Sequence, residues 1–179
     1  DYSCPVLFGD VSGCDCDYMV ERNVSDGLVF TVNFICDRGV THELVRHRHN
    51  ISFSQESTRY VDQAKHGMSV FHPPEGTLTR WQLWRRNWLY RAIEHVYRSE
   101  RKAGVSPQIA RGVLPTALKT QIVVTAYRAE WQIIFALRCA SGAHPQLREV
   151  MVPLQAELAA KYPEKFGEEA IQKVRENLG

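Results

Sequence analysis

Residues 46–60 read RHRHNISFSQESTRY, and they hold the densest set of groups in the chain that could do chemistry. Arg46, Arg48 and Arg59 are interleaved with Asn50, Ser52, Ser54, Gln55, Ser57 and Thr58. Guanidinium forks bind phosphate and carboxylate oxygens bidentately, and short hydroxyl and amide side chains add neutral donors and acceptors at close range. Such a run suits an anion that carries a heterocycle. Ser57 invites a nucleophile reading, but no histidine or carboxylate in the same motif is placed to activate it, so it is assigned to substrate binding. His42, His47 and His49 have a ligand-like spacing, yet the flanking arginines would repel a divalent ion and no matching set of donors completes a site. The cysteines Cys4, Cys14, Cys16, Cys36 and Cys139 are odd in number and lack paired C-x-x-C spacing. No metal is expected.

These groups need elements to hold them. Residues 28–35, LVFTVNFI, are rich in β-branched and aromatic types and predict a strand. From Arg38 to Arg48 the spacing turns helical, with Val40, Leu44 and Val45 on one face and Arg46, His47 and Arg48 in the last turn, where the helix dipole favours cations. KHGMSVFHPPEG marks a break, with His66 and His72 as loop histidines. Residues 77–103 give the longest helical pattern, capped by Thr77 or Thr79 and followed by Gly104. Its row of Trp81, Trp84, Trp88, Ala92, His95 and Ser99 predicts a core or subunit-interface stripe, and Arg80, Arg85, Arg86, Arg91, Arg98 and Arg101 predict a solvated face. SPQIARGVLP opens a short helix with Pro107 in its first turn. QIVVTA, residues 121–126, reads as a buried strand, and residues 128–138 as an amphipathic helix ending at Arg138. Residues 147–177 are amphipathic and carry no chemistry of their own.

At 179 residues, 44% hydrophobic and 23% charged, the chain has room for one domain, spanning residues 1–179. A net charge of +2 makes no demand for nucleic acid or an anionic membrane, and no apolar run reaches the length that spans a bilayer. A cytoplasmic protein is expected, with no nucleic-acid or membrane partner. The sequence opens on Asp1, so an N-terminus that has been trimmed or left out is expected.

The order E-L-V-R-H-R (43–48), a Ser-rich gap and Q-E-S-T-R-Y (55–60) resembles the signature of the flavin-dependent thymidylate synthases. ARGVLP (110–115), TALKTQIVVTAYRAEW (116–131) and SGAHPQLREV (141–150) resemble a second block of that family, and the likeness runs over roughly residues 23–166. The resemblance implies an α+β fold, a twisted antiparallel or mixed sheet with long helices, and a homotetramer whose active sites form where subunits meet. It implies reductive methylation of dUMP to dTMP with FAD, with NADPH and methylenetetrahydrofolate as co-substrates.

Carried over position by position, it gives FAD to Ser25, Arg46, His47, Arg48, Gln55, Tyr127, Arg128, Ala129 and Ile133. It gives dUMP to Glu43, Leu44, Val45, Arg46, Gln55, Glu56, Ser57, Thr58, Arg59, Arg111 and Arg138. Arg138 is the implied catalytic residue, an unpaired buried cation that favours ionisation of the pyrimidine at N3. The sequence departs from the family at Asn23, where a histidine is usual, at Asp26-Gly27, at Tyr127, where an asparagine is usual, and at Ile133. It also has eight residues between Arg48 and Ser57 where the family usually has seven. The extra residue falls at His49 or Asn50. The rival readings are a family member that modifies the pyrimidine differently, for example by hydroxymethylation, a flavin protein with weak synthase activity, and a non-catalytic nucleic-acid-binding module.

Overall fold

Alternate residues of one segment, Phe30, Val32, Phe34 and Cys36, are completely buried, as a strand with one face on a core requires. They lie on β2 (Gly27–Asp37), second in a four-stranded sheet of order β1-β2-β4-β3 in a computed structural model that describes residues 15–24 and 27–178. The other strands are β1 (Asp15–Val24), β3 (Ile51–Gln55) and β4 (Lys119–Tyr127). Every pairing is antiparallel. Register places Phe30, Val32 and Phe34 beside Ala126, Val124 and Ile122 on the same buried face. The architecture is α+β, as expected, and of the antiparallel and mixed arrangements it is the antiparallel one.

Helices cover that face. α5 (Arg128–Arg138) contributes Trp131, Ile134 and Phe135, and the Trp131 indole donates to the Phe30 carbonyl at 3.2 Å, so burial leaves its N–H satisfied. α6 (Pro145–Lys161) adds Leu147, Val150, Met151, Leu154 and Leu158 from a single stripe. α7 (Pro163–Phe166) and α8 (Glu168–Leu178) close the core with Phe166 and Ile171. Among the described residues no helix is long and apolar enough to cross a membrane.

α1 (Arg38–Leu44) starts at the end of β2, where the Asp37 carboxylate caps it by accepting from the Val40 N–H at 2.7 Å. It stops at Leu44, one turn before the predicted end at Arg48. Val45 forms its C-cap and is 39% exposed, so it is not part of the apolar face that Val40 and Leu44 make. The chain must reverse here to lay β3 antiparallel against β4, and it does so through Asn50, whose φ of +46° lies in the left-handed region. The Ser-rich gap is β3, with Ile51 and Phe53 packed on the core and Ser52 and Ser54 exposed.

The break after α2 (Gln63–His66) runs through Gly67 and Gly76, at φ +82° and +80°. α3 (Arg80–Lys102) follows, with Thr79 as its N-cap in a reciprocal capping box with Gln82 and Gly104 in left-handed geometry just past its end. Its inner side rests on a second apolar cluster of Met68, Val70, Tyr90 and Leu118. The tryptophans do not enter the core: Trp81, Trp84 and Trp88 are 62, 57 and 64% exposed. Tyr90 and Tyr97 are the buried aromatics of this helix. Helical spacing identified a stripe, but the stripe that packs within the chain lies on the opposite side.

Left-handed backbone disfavours a Cβ-bearing residue by about 1–2 kcal/mol, while asparagine and glycine tolerate it. Asn50→Ala is therefore expected to lower unfolding free energy by about 1 kcal/mol and Asn50→Gly to leave it nearly unchanged, measured by urea denaturation. Equal midpoints for the two variants would show that the reversal does not depend on this conformation.

Candidate functional site

β4 runs directly into α5, and β2 runs directly into α1, so the adjacent central strands deliver the end of α5 next to α1. Arg138, the last residue of α5, meets Glu43 and His47 there. Its Nη1 donates to Glu43 Oε2 at 2.9 Å, its Nη2 to the Glu43 carbonyl at 3.2 Å and its Nε to His47 Nε2 at 3.0 Å. The Arg138 side chain is only 18% exposed. It is thus a paired cation, not the unpaired one expected, because a guanidinium taken out of water without a counter-charge would be strongly destabilising. Among the described residues three of its five N–H groups are committed, which leaves one on each terminal nitrogen.

Because His47 Nε2 accepts a hydrogen bond, the ring is neutral and its proton resides on Nδ1. Its pKa is lowered from 6.5 to about 4, chiefly by burial and secondarily by the Arg138 charge, with Glu43 opposing both. Glu43 also pairs through Oε1 with Arg46 at 3.3 Å, but Arg46 is 69% exposed and that contact is weak. Arg46 and Arg48 lie in the turn after α1, pointing into solvent, and are not fixed by a helix end. Leu44 is fully buried, so only its backbone is available to a ligand.

Gln55, at the end of β3, donates from Nε2 to Thr41 Oγ1 at 2.9 Å and to Thr120 Oγ1 at 3.5 Å, which ties β3 to α1 and β4. The next segment is a tight turn. The Tyr60 and Val61 N–H groups both donate to the Ser57 carbonyl, and the Arg59 N–H donates to Ser57 Oγ at 3.3 Å. Thr58 is buried, whereas Arg59 and Tyr60 are exposed, with the guanidinium 5.8 Å from the ring centroid.

Two adjoining cavities open at the β4–α5 junction. One, of about 440 Å³, is lined by Leu28, Asn50, Tyr127, Arg128, Ala129 and Glu130. The other, of about 450 Å³, is lined by Val29, Asn50, Ile51, Ser52, Thr125, Ala126 and Tyr127. Three residues expected to meet FAD, Tyr127, Arg128 and Ala129, therefore share one wall. Arg128 is oriented by Gln132 at 3.0 Å, and Ile133 is half-buried on α5. Arg111 is exposed on the 3₁₀ turn that follows α4 (Pro107–Ala110). Ser25, Asp26, Cys4 and Cys14 lie outside the described residues, as do the side chains of Asn23 and Cys16.

Sequence reading missed a further cluster. Asp62 caps α2 through the Ala64 N–H at 3.0 Å, accepts from the Tyr97 hydroxyl at 3.0 Å, and receives Arg101 Nε and Nη2 at 3.1 and 2.9 Å. The Arg101 hydrogen bonds hold its carboxyl at about 2, below the ordinary 3.8. Arg101 consequently does not belong to the solvated face on which sequence placed it. An Asp followed by a short helical pattern is a capping signal, and Tyr97 and Arg101 sit four apart on α3, but no local pattern joins the two.

The description "thymidylate synthase complementing protein" attaches to a family whose model matches residues 22–164. A flavin-dependent thymidylate synthase of Thermococcus onnurineus (strain NA1) is 34% identical over 127 residues, 69% of this chain and 51% of the relative. One of Pyrococcus abyssi (strain GE5 / Orsay) is 33% identical over 129 residues, covering 70% and 52%, and one of Mycobacterium tuberculosis (strain ATCC 25177 / H37Ra) is 34% identical over 146 residues, covering 73% and 57%. The chain thus spans about half the length of the curated relatives it matches.

The position of His47 gives a signed pH dependence. Its folded-state pKa lies below its unfolded one, so between pH 6.5 and about 4 the unfolded chain binds a proton that the native chain does not, and stability falls as pH falls through that window. NMR titration of the ligand-free protein is expected to place the His47 midpoint near 4, with Glu43→Gln moving it lower and Arg138→Gln moving it up. A midpoint near 6.5 would show that the ring is not held in this cluster.

Proposed function

The chain belongs to the thymidylate synthase complementing protein family, and from that premise we propose that it is a flavin-dependent thymidylate synthase, a cytoplasmic transferase that methylates dUMP to dTMP. The observation that carries this reading is Arg138, delivered by α5 to the junction with α1 beside the arginine turn, with two N–H groups still to offer. The reading includes the fold of those enzymes. Because the chain covers about half of each relative, the activity rests on the site itself.

The residues present suit a flavin dinucleotide. Leu28, Val29 and Tyr127 give the adjoining cavities apolar and aromatic wall, while Arg128 on the wall and Arg46 and Arg48 in the nearby turn supply forks for a pyrophosphate. When bound, FAD would carry hydride from NADPH to the one-carbon unit that methylenetetrahydrofolate delivers to the pyrimidine. The protein's part is positional and electrostatic. Ser57, Arg59 and Arg111 bind the nucleotide, Gln55 addresses both ligands, and Arg138 directs its free edge at the ring, where a preorganised cation favours the N3 anion and so raises electron density at C5. Glu43 compensates the Arg138 charge until the nucleotide arrives, and neutral His47 orients the guanidinium without repelling it.

Self-association into a homotetramer belongs to the same proposal. Trp81 and Trp84 stack with centroids 4.7 Å apart, and with Trp88 and Leu89 they line a groove of about 550 Å³ on α3 that the described residues leave open. A large exposed aromatic surface of this kind is characteristic of a subunit contact.

Purified protein is expected to bind FAD and show a flavin spectrum, and Arg46→Ala combined with Arg48→Ala is expected to weaken that binding at least tenfold, each charge-assisted hydrogen bond being worth about 1.5–3 kcal/mol. Unchanged flavin affinity in the double variant would remove these arginines from the site.

Arg138→Lys keeps the charge but loses the planar fork, so dTMP formation is expected to drop by about 10²- to 10³-fold. Flavin reduction by NADPH, measured without dUMP, is expected to remain near wild type. A variant in which flavin reduction fails first would show that Arg138 only maintains the fold.

A further inference from the structure

The turn of residues 56–61 has to present Ser57 and Arg59 at a fixed place, yet its internal hydrogen bonds fix only its shape. Position comes from its two ends. At the entrance, β3 is paired with β4 as far as Gln55, and the Glu56 N–H donates to the Gln121 carbonyl at 3.0 Å, so the chain leaves the sheet in a set direction. Among the described residues no strand receives the chain at the exit. Its anchor there is the Asp62 carboxylate.

Asp62 is 8% exposed and gathers four donors, namely the Ala64 N–H, the Tyr97 hydroxyl and two nitrogens of Arg101. Capping a four-residue helix needs only the first of these. The other three come from α3, which is 35 to 39 residues away in sequence. Arg101 also donates from Nη1 to the Val105 carbonyl beyond the end of α3, and Arg98 donates to the Ala64 carbonyl at 3.3 Å. The guanidinium is thereby fixed on both sides and cannot follow the turn if it moves. Charge within the cluster is balanced, so the carboxylate tolerates burial without drawing on Arg59.

We propose that Asp62, held by Tyr97 and Arg101, is the positioning residue of the nucleotide-binding turn, registering Ser57 and Arg59 against α3. This rests on the reading of residues 55–59 as the dUMP-binding segment. Asp62 acts through the turn and touches no substrate. Its effect is therefore selective: the arginine turn after α1 and the cavity wall at Tyr127 are carried by α1, β4 and α5 and do not depend on the cluster.

The test compares dUMP affinity by calorimetry with FAD affinity by fluorescence quenching, in the full chain, for wild type, Asp62→Asn, Tyr97→Phe, Arg101→Lys and Arg59→Ala. Asp62→Asn is expected to weaken dUMP binding about 10- to 100-fold, the range for loss of a buried charged hydrogen-bond partner, with FAD affinity within about twofold of wild type. Tyr97→Phe, which removes one hydroxyl, is expected to cost a few-fold in dUMP affinity alone, and it carries the test together with Arg101→Lys should Asp62→Asn not fold. Parallel losses of dUMP and FAD affinity across these variants would show a purely structural cluster and overturn the proposal, as would unchanged dUMP affinity. If wild type binds no dUMP, or Arg59→Ala binds it normally, the nucleotide assignment of the turn fails and the proposal with it. If Arg59→Ala weakens dUMP while the cluster variants do not, the proposal alone fails.

Discussion

A guanidinium at the end of a half-buried helix must be compensated, and the pairing of Arg138 with Glu43 meets that requirement across 95 residues of sequence. Desolvating either charge alone would cost several kcal/mol, so the contact holds the end of α5 and the end of α1 to one another. Two features go with it. His47 beside the pair stays neutral, chiefly through burial and secondarily through the Arg138 charge, and Glu43 bridges the half-buried Arg138 and the exposed Arg46.

The site is built from two pieces with different supports. The core sheet and α5 hold Arg138, His47 and the cavity wall of Tyr127, Arg128 and Ala129. The turn of residues 56–61 leaves the sheet at Gln55 and is held at its far end by α3 through Asp62. α3 barely joins the main core. It rests on the small cluster around Tyr90 and leaves its N-terminal tryptophans exposed, so the helix that holds Asp62 is also the one with an exposed aromatic surface.

Much of this organisation is written in local patterns. The strand at residues 28–35, the bounds of the 128–138 helix, and Thr79 as one of the two candidate caps of the long helix are all decided by neighbours within a few residues, and the structure follows them. The run of basic, hydroxyl and amide residues at 46–60 was likewise visible. What could not be read locally depends on partners far along the chain. α1 stops at Leu44 because β3 must turn back onto β4. Arg138 acquires Glu43, and Arg101 acquires Asp62, only once the elements are packed. The tryptophan spacing identified a stripe on α3, but spacing carries no information about what covers it.

The most direct measurement is the product formed when the purified protein is incubated anaerobically with dUMP, FAD, NADPH and methylenetetrahydrofolate and the nucleotides are separated and weighed by mass spectrometry. The proposed reading predicts dTMP. Hydroxymethyl-dUMP as the end product, or recovery of unchanged dUMP from protein that binds both dUMP and flavin, would contradict it.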